Sequence, residues 1–344
     1  MSTFRPETIL VYVTSNPDDA LGENIIKIPF LYALRSVYPD ARLTWVPGTG
    51  TAFYSTVLAP LVDGKIDEIV TDLDLPMQWS RLFAFGSPMK GRSFDLIIDL
   101  QRNLYRTVQL RRISHRRFIS PTWHWKLSDA RPPEGQNPSP HESIRLVSFA
   151  AAAAGKPVDI PYDITVPEKW RAAAQTLLPP GTVYVGLAPG AGRQNSGKLW
   201  PLEQYLQLGR DQLNKGRKPV VFLGPGEVSW VETIRAALPE AFIPGFDETD
   251  IPKDVLGPTL TVAMARHLAA AVANCSGTAH MLGTGGAPTV TLYGPTNPKK
   301  YTPHGRRPVT LRAQDFDGEK NIAAIPLDAV IDAVEKQVSA SASV

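Results

Sequence analysis

The stretch VAMARHLAAAVANCSGTAHMLGTGGAPTVTLYGPTNP, residues 262–298, decides the fold. Its Ala-rich beginning, 262–273, has room for a helix followed by a strand. Ser276, Gly277 and Thr278 then interrupt the apolar run with the chemistry of a helix start. A glycine-rich turn and the strand TVTLYG (289–294) follow, closed by the rigid turn GPTNP (294–298). Short strands that are apolar on both faces and joined through helices belong to a parallel sheet covered by helices.

The same alternation runs outward from this stretch. VYVGLAP (183–189) reads as a strand ending in a Pro-Gly turn, and Pro201 takes the first position of a helix. PVVFLG (219–224) is the next strand, with a helix from Glu227, and a last helix runs from Pro326 to Val338. In the first half, ILVYV (9–13), RLTWV (42–46) and FDLIIDL (94–100) read as buried strands. A polar loop follows the first of them, and Glu23 to Tyr38 reads as one helix with Ile26, Phe30, Leu34 and Val37 on its apolar face. DARPPEGQNPSP (129–140) reads as an exposed loop. Two such series specify two doubly wound α/β domains, with ligands outside the carboxyl ends of the strands. Prolines and glycines cluster within 155–182, which places the linker there. The expected division is 1–165, 166–325, and a C-terminal helix and tail, 326–344, that packs back on the first domain.

A chain of 344 residues exceeds one ordinary core. The single cysteine, Cys275, excludes an internal disulfide and a zinc site built on several thiolates, and fits a reducing compartment. The six histidines show no metal-ligand spacing. The longest apolar run, Leu146 to Ala154, falls far short of the ~18 residues of a membrane span. MSTFRPETILVYV lacks the pattern of a secretory signal, so a cytoplasmic location is expected. The net charge of +3 conceals a concentrated field, because residues 81–131 carry 11 Lys/Arg against 3 Asp/Glu. That region is either a solvated face or a site for an anionic partner such as a phosphorylated glycolipid, a membrane surface or nucleic acid.

Four segments carry recognisable chemistry. LAPGAGRQNSGKLWP (187–201) lies between a strand and a helix, where backbone N–H groups suit a phosphate. Gly192 to Lys198 satisfies GxxxxGK, but Leu199 stands where a P-loop needs a magnesium-binding hydroxyl. Lys198 therefore reads as a cation for a diphosphate, or as a surface lysine beside a core tryptophan, Trp200. NCSGTAHMLGTGGAP (274–288) presents the N–H groups of Ser276, Gly277, Thr278 and Ala279 at a helix start, an anion nest that needs no metal. His280 in its first turn is either a phosphate donor or a capping group. LGPGE (223–227) places Glu227 at a strand end, within reach of ribose hydroxyls, and GPTNP forms the fourth.

Together these segments resemble glycosyltransferase family 9, the lipopolysaccharide heptosyltransferases. The resemblance rests on Pro189-Gly190-Ala191 with Lys198-Leu199-Trp200-Pro201, on Gly224 with Glu227, on Ser276-Gly277-Thr278-Ala279-His280, and on Gly294-Pro295-Thr296-Asn297-Pro298. In the first half, LGENIIKIPFLYALRSVYPDARLTWV and FDLIIDLQRNLYR are similar to the family's corresponding segments. The resemblance implies a GT-B architecture of two doubly wound Rossmann-like domains facing a central cleft, the first binding acceptor and the second a nucleotide-diphosphate sugar.

It also implies an inverting, metal-independent glycosyltransferase without a cofactor, moving heptose or a related sugar. The acceptor would be a lipopolysaccharide-type or other glycan or glycolipid, anionic, reached by peripheral contact with the cytoplasmic face of the inner membrane; nucleic acid is not a partner. Glu23 would be the base and Lys198 the catalytic cation. Gly190, Lys198, Glu227, Cys275, Ser276, Gly277, Thr278, Ala279 and His280 would bind the donor, and Arg102, Arg106, Arg111 and Arg112 the acceptor. Two positions depart from the family pattern: Glu23 and Cys275 each replace an aspartate. A thiol cannot accept the charge-assisted hydrogen bonds of a carboxylate, so a donor other than ADP-heptose, or a weaker-bound one, is expected. A GT-B nucleotide-sugar epimerase or hydrolase and a non-catalytic nucleotide- or glycan-binding protein are the alternatives.

Overall fold

The computed structural model describes residues 4–13, 21–48, 53–71, 73, 75, 87–136, 139–192, 197–247, 250–305 and 307–341. The polar loop after the first strand and residues 193–196 of the GxxxxGK segment lie outside the described residues. The first sheet holds β1 (Thr8–Tyr12), β2 (Arg42–Val46), β3 (Glu68–Ile69), β4 (Ser93–Asp99) and β5 (Ser114–Ile119) in the order β3-β2-β1-β4-β5. The second holds β6 (Tyr184–Ala188), β7 (Lys218–Val221), β8 (Leu268–Asn274), β9 (Thr289–Tyr293) and β10 (Val309–Arg312) in the order β10-β9-β8-β6-β7. Every pairing is parallel. The helices are α1 (Leu21–Ile25), α2 (Ile28–Val37), α3 (Leu104–Leu110), α4 (Glu142–Ala154), α5 (Glu168–Leu177) and α6 (Leu202–Asn214). They continue with α7 (Val231–Ala237), α8 (Pro258–Ala265), α9 (Gly277–Thr284), α10 (Pro298–Tyr301) and α11 (Leu327–Ser341).

Two compact units result. Among the described residues, 4–13 and those from Lys27 to Pro161 make the first, while 21–26 join those from Tyr162 onward in the second. Leu10, Tyr12, Val46, Ile97, Leu110 and Phe118 centre one core of the first unit. Val185, Leu187, Val272, Val290 and Leu292 carry the second, with Trp200 and Tyr205 beside them. The central strands β1, β6, β8 and β9 are buried almost throughout, as in parallel sheets covered on both faces.

Three departures from the sequence reading have physical causes. The helix expected from Glu23 to Tyr38 is two helices, α1 and α2. Pro29 offers no N–H and its ring excludes the carbonyl of residue 25, so the helix cannot run through. The last helix, expected to pack back on the first domain, packs within the second unit: Val330, Ala333, Val334 and Val338 of α11 are buried in its core. Its apolar face is complementary to the open side of β8 and β9. Third, the basic region contains an edge strand, β5, whose sequence SHRRFI reads as polar. Charged edge strands resist pairing with other chains. Several of its neighbouring cations are bound internally: Arg116 to Asp95 at 3.1 Å, Arg92 to Glu68 at 2.7 Å, and Arg117 over the Phe4 ring at 3.9 Å. Three of the cations in residues 81–131 are therefore engaged within the chain.

Candidate active site

The second unit brings its glycine-rich turns together at the carboxyl ends of β6, β7, β8 and β9. Asn274, the last residue of β8 and wholly buried, is the clamp. Its amide nitrogen donates to the carbonyl of Pro189 at 2.6 Å, and its amide oxygen accepts from Trp200 N–H at 3.2 Å. The turn bearing Gly190 and the loop bearing Lys198 are thus tied to the strand end that leads into Cys275. Trp200 is fixed further by its indole N–H, which donates to the Ile325 carbonyl at 2.9 Å, and by edge-on packing against Tyr205. Pro201 caps α6 from just outside its first turn.

Glu227 lies in a short 3₁₀ turn after β7, almost wholly buried. One carboxylate oxygen accepts from Gly224 N–H at 2.8 Å. A Cβ on Gly190 would stand 2.5 Å from the Glu227 carboxyl carbon, so a side chain at 190 would require that carboxylate to shift. Gly294 is held in the same way, since a Cβ there would lie 2.8 Å from the Gly197 carbonyl. The GPTNP turn therefore packs against the backbone next to Lys198.

The helix α9 starts at Ser276, whose hydroxyl accepts from Ala279 N–H at 3.4 Å. Of the four N–H groups expected to form the nest, that of Ala279 is thus taken by the cap. Those of Gly277 and Thr278 have no acceptor within the helix and are left for an anion. Cys275 precedes the cap. Burial pushes its thiol above the ordinary cysteine range, against the opposing pull of Lys198 and a hydrogen bond to Thr296. Burial thus favours the neutral thiol over the thiolate, and Lys198 lies close enough to act on it. His280 is buried in the first turn.

Residue 23 reaches this assembly from the other end of the sequence. The short helix α1 belongs with the second unit, and a Cβ on Gly22 would lie 2.8 Å from Gly277 Cα and 3.5 Å from the His280 ring. The backbones touch because both residues are glycine. Glu23, exposed, follows directly. A carboxylate, a lysine, a buried glutamate and a helix N-terminus thus belong to one unit.

The sequence profile of glycosyltransferase family 9 (heptosyltransferase) matches residues 82–323. The chain belongs to this family. Among similar solved structures is a family 9 glycosyltransferase from Veillonella parvula DSM 2008, with a TM-score of 0.68 at 19% identity over 97% of this chain and 98% of that one. Another is the E. coli ADP-heptose lipopolysaccharide heptosyltransferase II, with a TM-score of 0.67 at 18% identity over 97% and 99%. The E. coli heptosyltransferase WaaC with ADP-2-deoxy-2-fluoro heptose gives 0.61 at 17% over 96% and 99%. These likenesses establish the GT-B fold of two Rossmann-like domains. No curated protein matches the sequence.

In this glycosyltransferase the four candidate acceptor arginines divide into two pairs. Arg102 is exposed just after β4, and Arg106 lies in the first turn of α3, which Asn103 caps by accepting from Arg106 N–H at 3.2 Å. Arg111 and Arg112 follow the other end of α3. The Arg111 guanidinium donates to the Leu127 carbonyl at 2.7 Å and to Asp129 at 3.2 Å, and lies over the Phe118 ring.

Sequence reasoning missed Asn274 and Asp99. Asp99 ends β4, wholly buried, and receives Thr107 Oγ1 at 2.6 Å, Ser120 Oγ at 3.0 Å and Gln101 N–H at 3.0 Å. Burial pushes its carboxyl up to about 6 although those donors and Arg106 pull it down. Nothing local marks either residue; only the folded neighbourhood does. Among the described residues no three His, Cys, Asp or Glu side chains gather as a metal site, and no helix is long and apolar enough to cross a membrane.

Proposed function

We propose that the protein is an inverting, metal-independent glycosyltransferase that moves heptose or a related sugar from a nucleotide diphosphate to an anionic glycan or glycolipid. The observation that supports this reading is the contact of Gly22 with Gly277, which brings the residue preceding Glu23 onto the helix N-terminus suited to a diphosphate. Glu23 takes the proton of an acceptor hydroxyl as that oxygen bonds to the anomeric carbon. The bond from that carbon to the diphosphate oxygen breaks on the opposite face, and its electron pair leaves with the nucleotide. Lys198 and the N–H groups of Gly277 and Thr278 stabilise the charge that develops there, the role a metal fills elsewhere. Glu227 holds the ribose through the carboxylate oxygen that does not cap Gly224. Arg102 and Arg106 meet the acceptor's negative charge, while the Arg111 guanidinium is engaged by the Leu127 carbonyl and Asp129.

The test is transfer from ADP-heptose to de-O-acylated, heptose-deficient lipopolysaccharide, followed by mass spectrometry with and without EDTA. Wild type should give product in chelator, Glu23→Gln should lose about 10²–10⁴-fold in kcat, and ADP affinity should stay unchanged in that variant. Product formed at the wild-type rate by Glu23→Gln removes the base assignment. Activity lost in EDTA and restored by magnesium removes the metal-independent mechanism.

A further inference from the structure

Outside that site, the carboxyl ends of β4 and β5 carry a second constructed feature. Thr122–Trp125 forms a turn in which Trp123, His124 and Trp125 have φ of 52°, 53° and 66°, all left-handed. Bulky residues do not adopt that conformation in succession unless their surroundings impose it. Here both flanks are anchored. Thr122 Oγ1 lies 2.8 Å from Thr107 Oγ1 and 3.1 Å from Ser120 Oγ, the two hydroxyls that surround Asp99. Trp125 packs on Phe149 with ring centroids 5.1 Å apart. Between these anchors the Trp123 indole stands 58% exposed.

The surroundings are cationic and polar. Thr122 Oγ1 approaches the Gln101 carbonyl at 3.5 Å, so the loop positions of Arg102 and Trp123 are adjacent to a shared contact. Arg102, His124 and Lys126 are all exposed. An open α/β sheet binds ligands at these strand ends. An indole face stacks on the C–H face of a sugar ring, while guanidinium and ammonium groups take phosphate or carboxylate. A membrane-inserting patch would need further exposed apolar side chains beside the indole, and the exposed neighbours in the turn and loop, Arg102, His124 and Lys126, are instead charged or polar.

We propose that Trp123 is a stacking platform for a sugar ring of the acceptor, with Arg102 and Lys126 engaging an anionic substituent of that saccharide. This rests on the glycosyl-transfer reading above. The experiment is isothermal titration of de-O-acylated, heptose-deficient lipopolysaccharide into wild type, Trp123→Ala and Trp123→Phe, alongside ADP and vesicles of phosphatidylglycerol. Wild type should bind the saccharide, Trp123→Ala at least tenfold more weakly, and Trp123→Phe should recover most of the loss. ADP affinity should be equal in all three. In turnover the alanine variant should show a raised acceptor KM with donor KM unchanged. Saccharide binding by wild type without transfer would sink the catalytic reading and leave the platform standing. Equal saccharide affinity in wild type and Trp123→Ala, no saccharide binding by wild type, or a loss confined to vesicle binding, would each overturn the platform.

Discussion

Glu227 occupies the space into which any side chain on residue 190 would project. The carboxyl carbon sits 2.5 Å from the ideal Cβ position of Gly190, and the carboxylate is held there by Gly224 N–H at 2.8 Å. The space beside a conformationally ordinary glycine is thereby filled by a residue 37 positions away in sequence.

Gly190→Ala should displace the Glu227 carboxylate and cost one charge-assisted hydrogen bond to the ribose, worth about 1.5–3 kcal/mol. ADP binding by calorimetry should weaken by about ten- to a hundredfold while the circular dichroism spectrum is retained. Unchanged affinity would mean that Glu227 does not touch the nucleotide.

Asn274→Ala leaves the Pro189 carbonyl and the Trp200 N–H without their buried partner. Each such orphan costs on the order of 1–3 kcal/mol. Urea unfolding should therefore show a loss of about 2–6 kcal/mol, larger than for an exposed amide.

Lys198→Ala should lower kcat/KM for the donor by about 10²–10³-fold, the usual cost of losing one preorganised charge at the leaving group. Thermal stability should be retained, because the side chain is only half-buried. A wild-type kcat/KM would show that the helix N-terminus alone carries the diphosphate.

Cys275→Asp restores a carboxylate beside Lys198, which stabilises the charged form. The variant should bind ADP-heptose several-fold more tightly than wild type, with affinity for ADP itself unchanged. Equal affinity for the sugar nucleotide in both proteins would place the sugar away from residue 275.

Asp99 gives a stability signal with a defined sign. Its carboxyl is raised from 3.8 to about 6 in the folded protein, so the native state holds its proton more tightly than the unfolded chain. This contribution is present in full below about pH 4 and is lost as pH rises through about 6, an effect on the order of 3 kcal/mol. Asp99→Asn stays neutral, and the hydroxyls of Thr107 and Ser120 can reverse to accept from its amide. The difference in unfolding free energy between pH 4.5 and pH 7.5 should be smaller in the variant than in wild type; equal differences would show that Asp99 titrates normally.

The sequence determined what short-range chemistry controls. Apolar strands of four to seven residues, polar helix starts and glycine turns specify two parallel sheets and place the motif loops at strand ends. Gly190, Lys198, Glu227 and Ser276–His280 stand out as candidates for that reason, whereas Glu23 is marked only by the family resemblance. Tertiary structure alone decided the rest. Gly22 lies on Gly277 because two backbones from distant segments meet where neither has a Cβ. Asn274 became a clamp because its amide faces Pro189 and Trp200 from a buried strand end, and Asp99 a raised carboxyl because the fold buries it completely, against the opposing pull of the Thr107 and Ser120 hydroxyls. Arg111 and Arg106, five positions apart and chemically identical, took different surroundings because a helix separates them and only one end of it lies at the strand ends. Burial and partner choice are properties of contacts far apart in sequence, and local pattern carries no record of them.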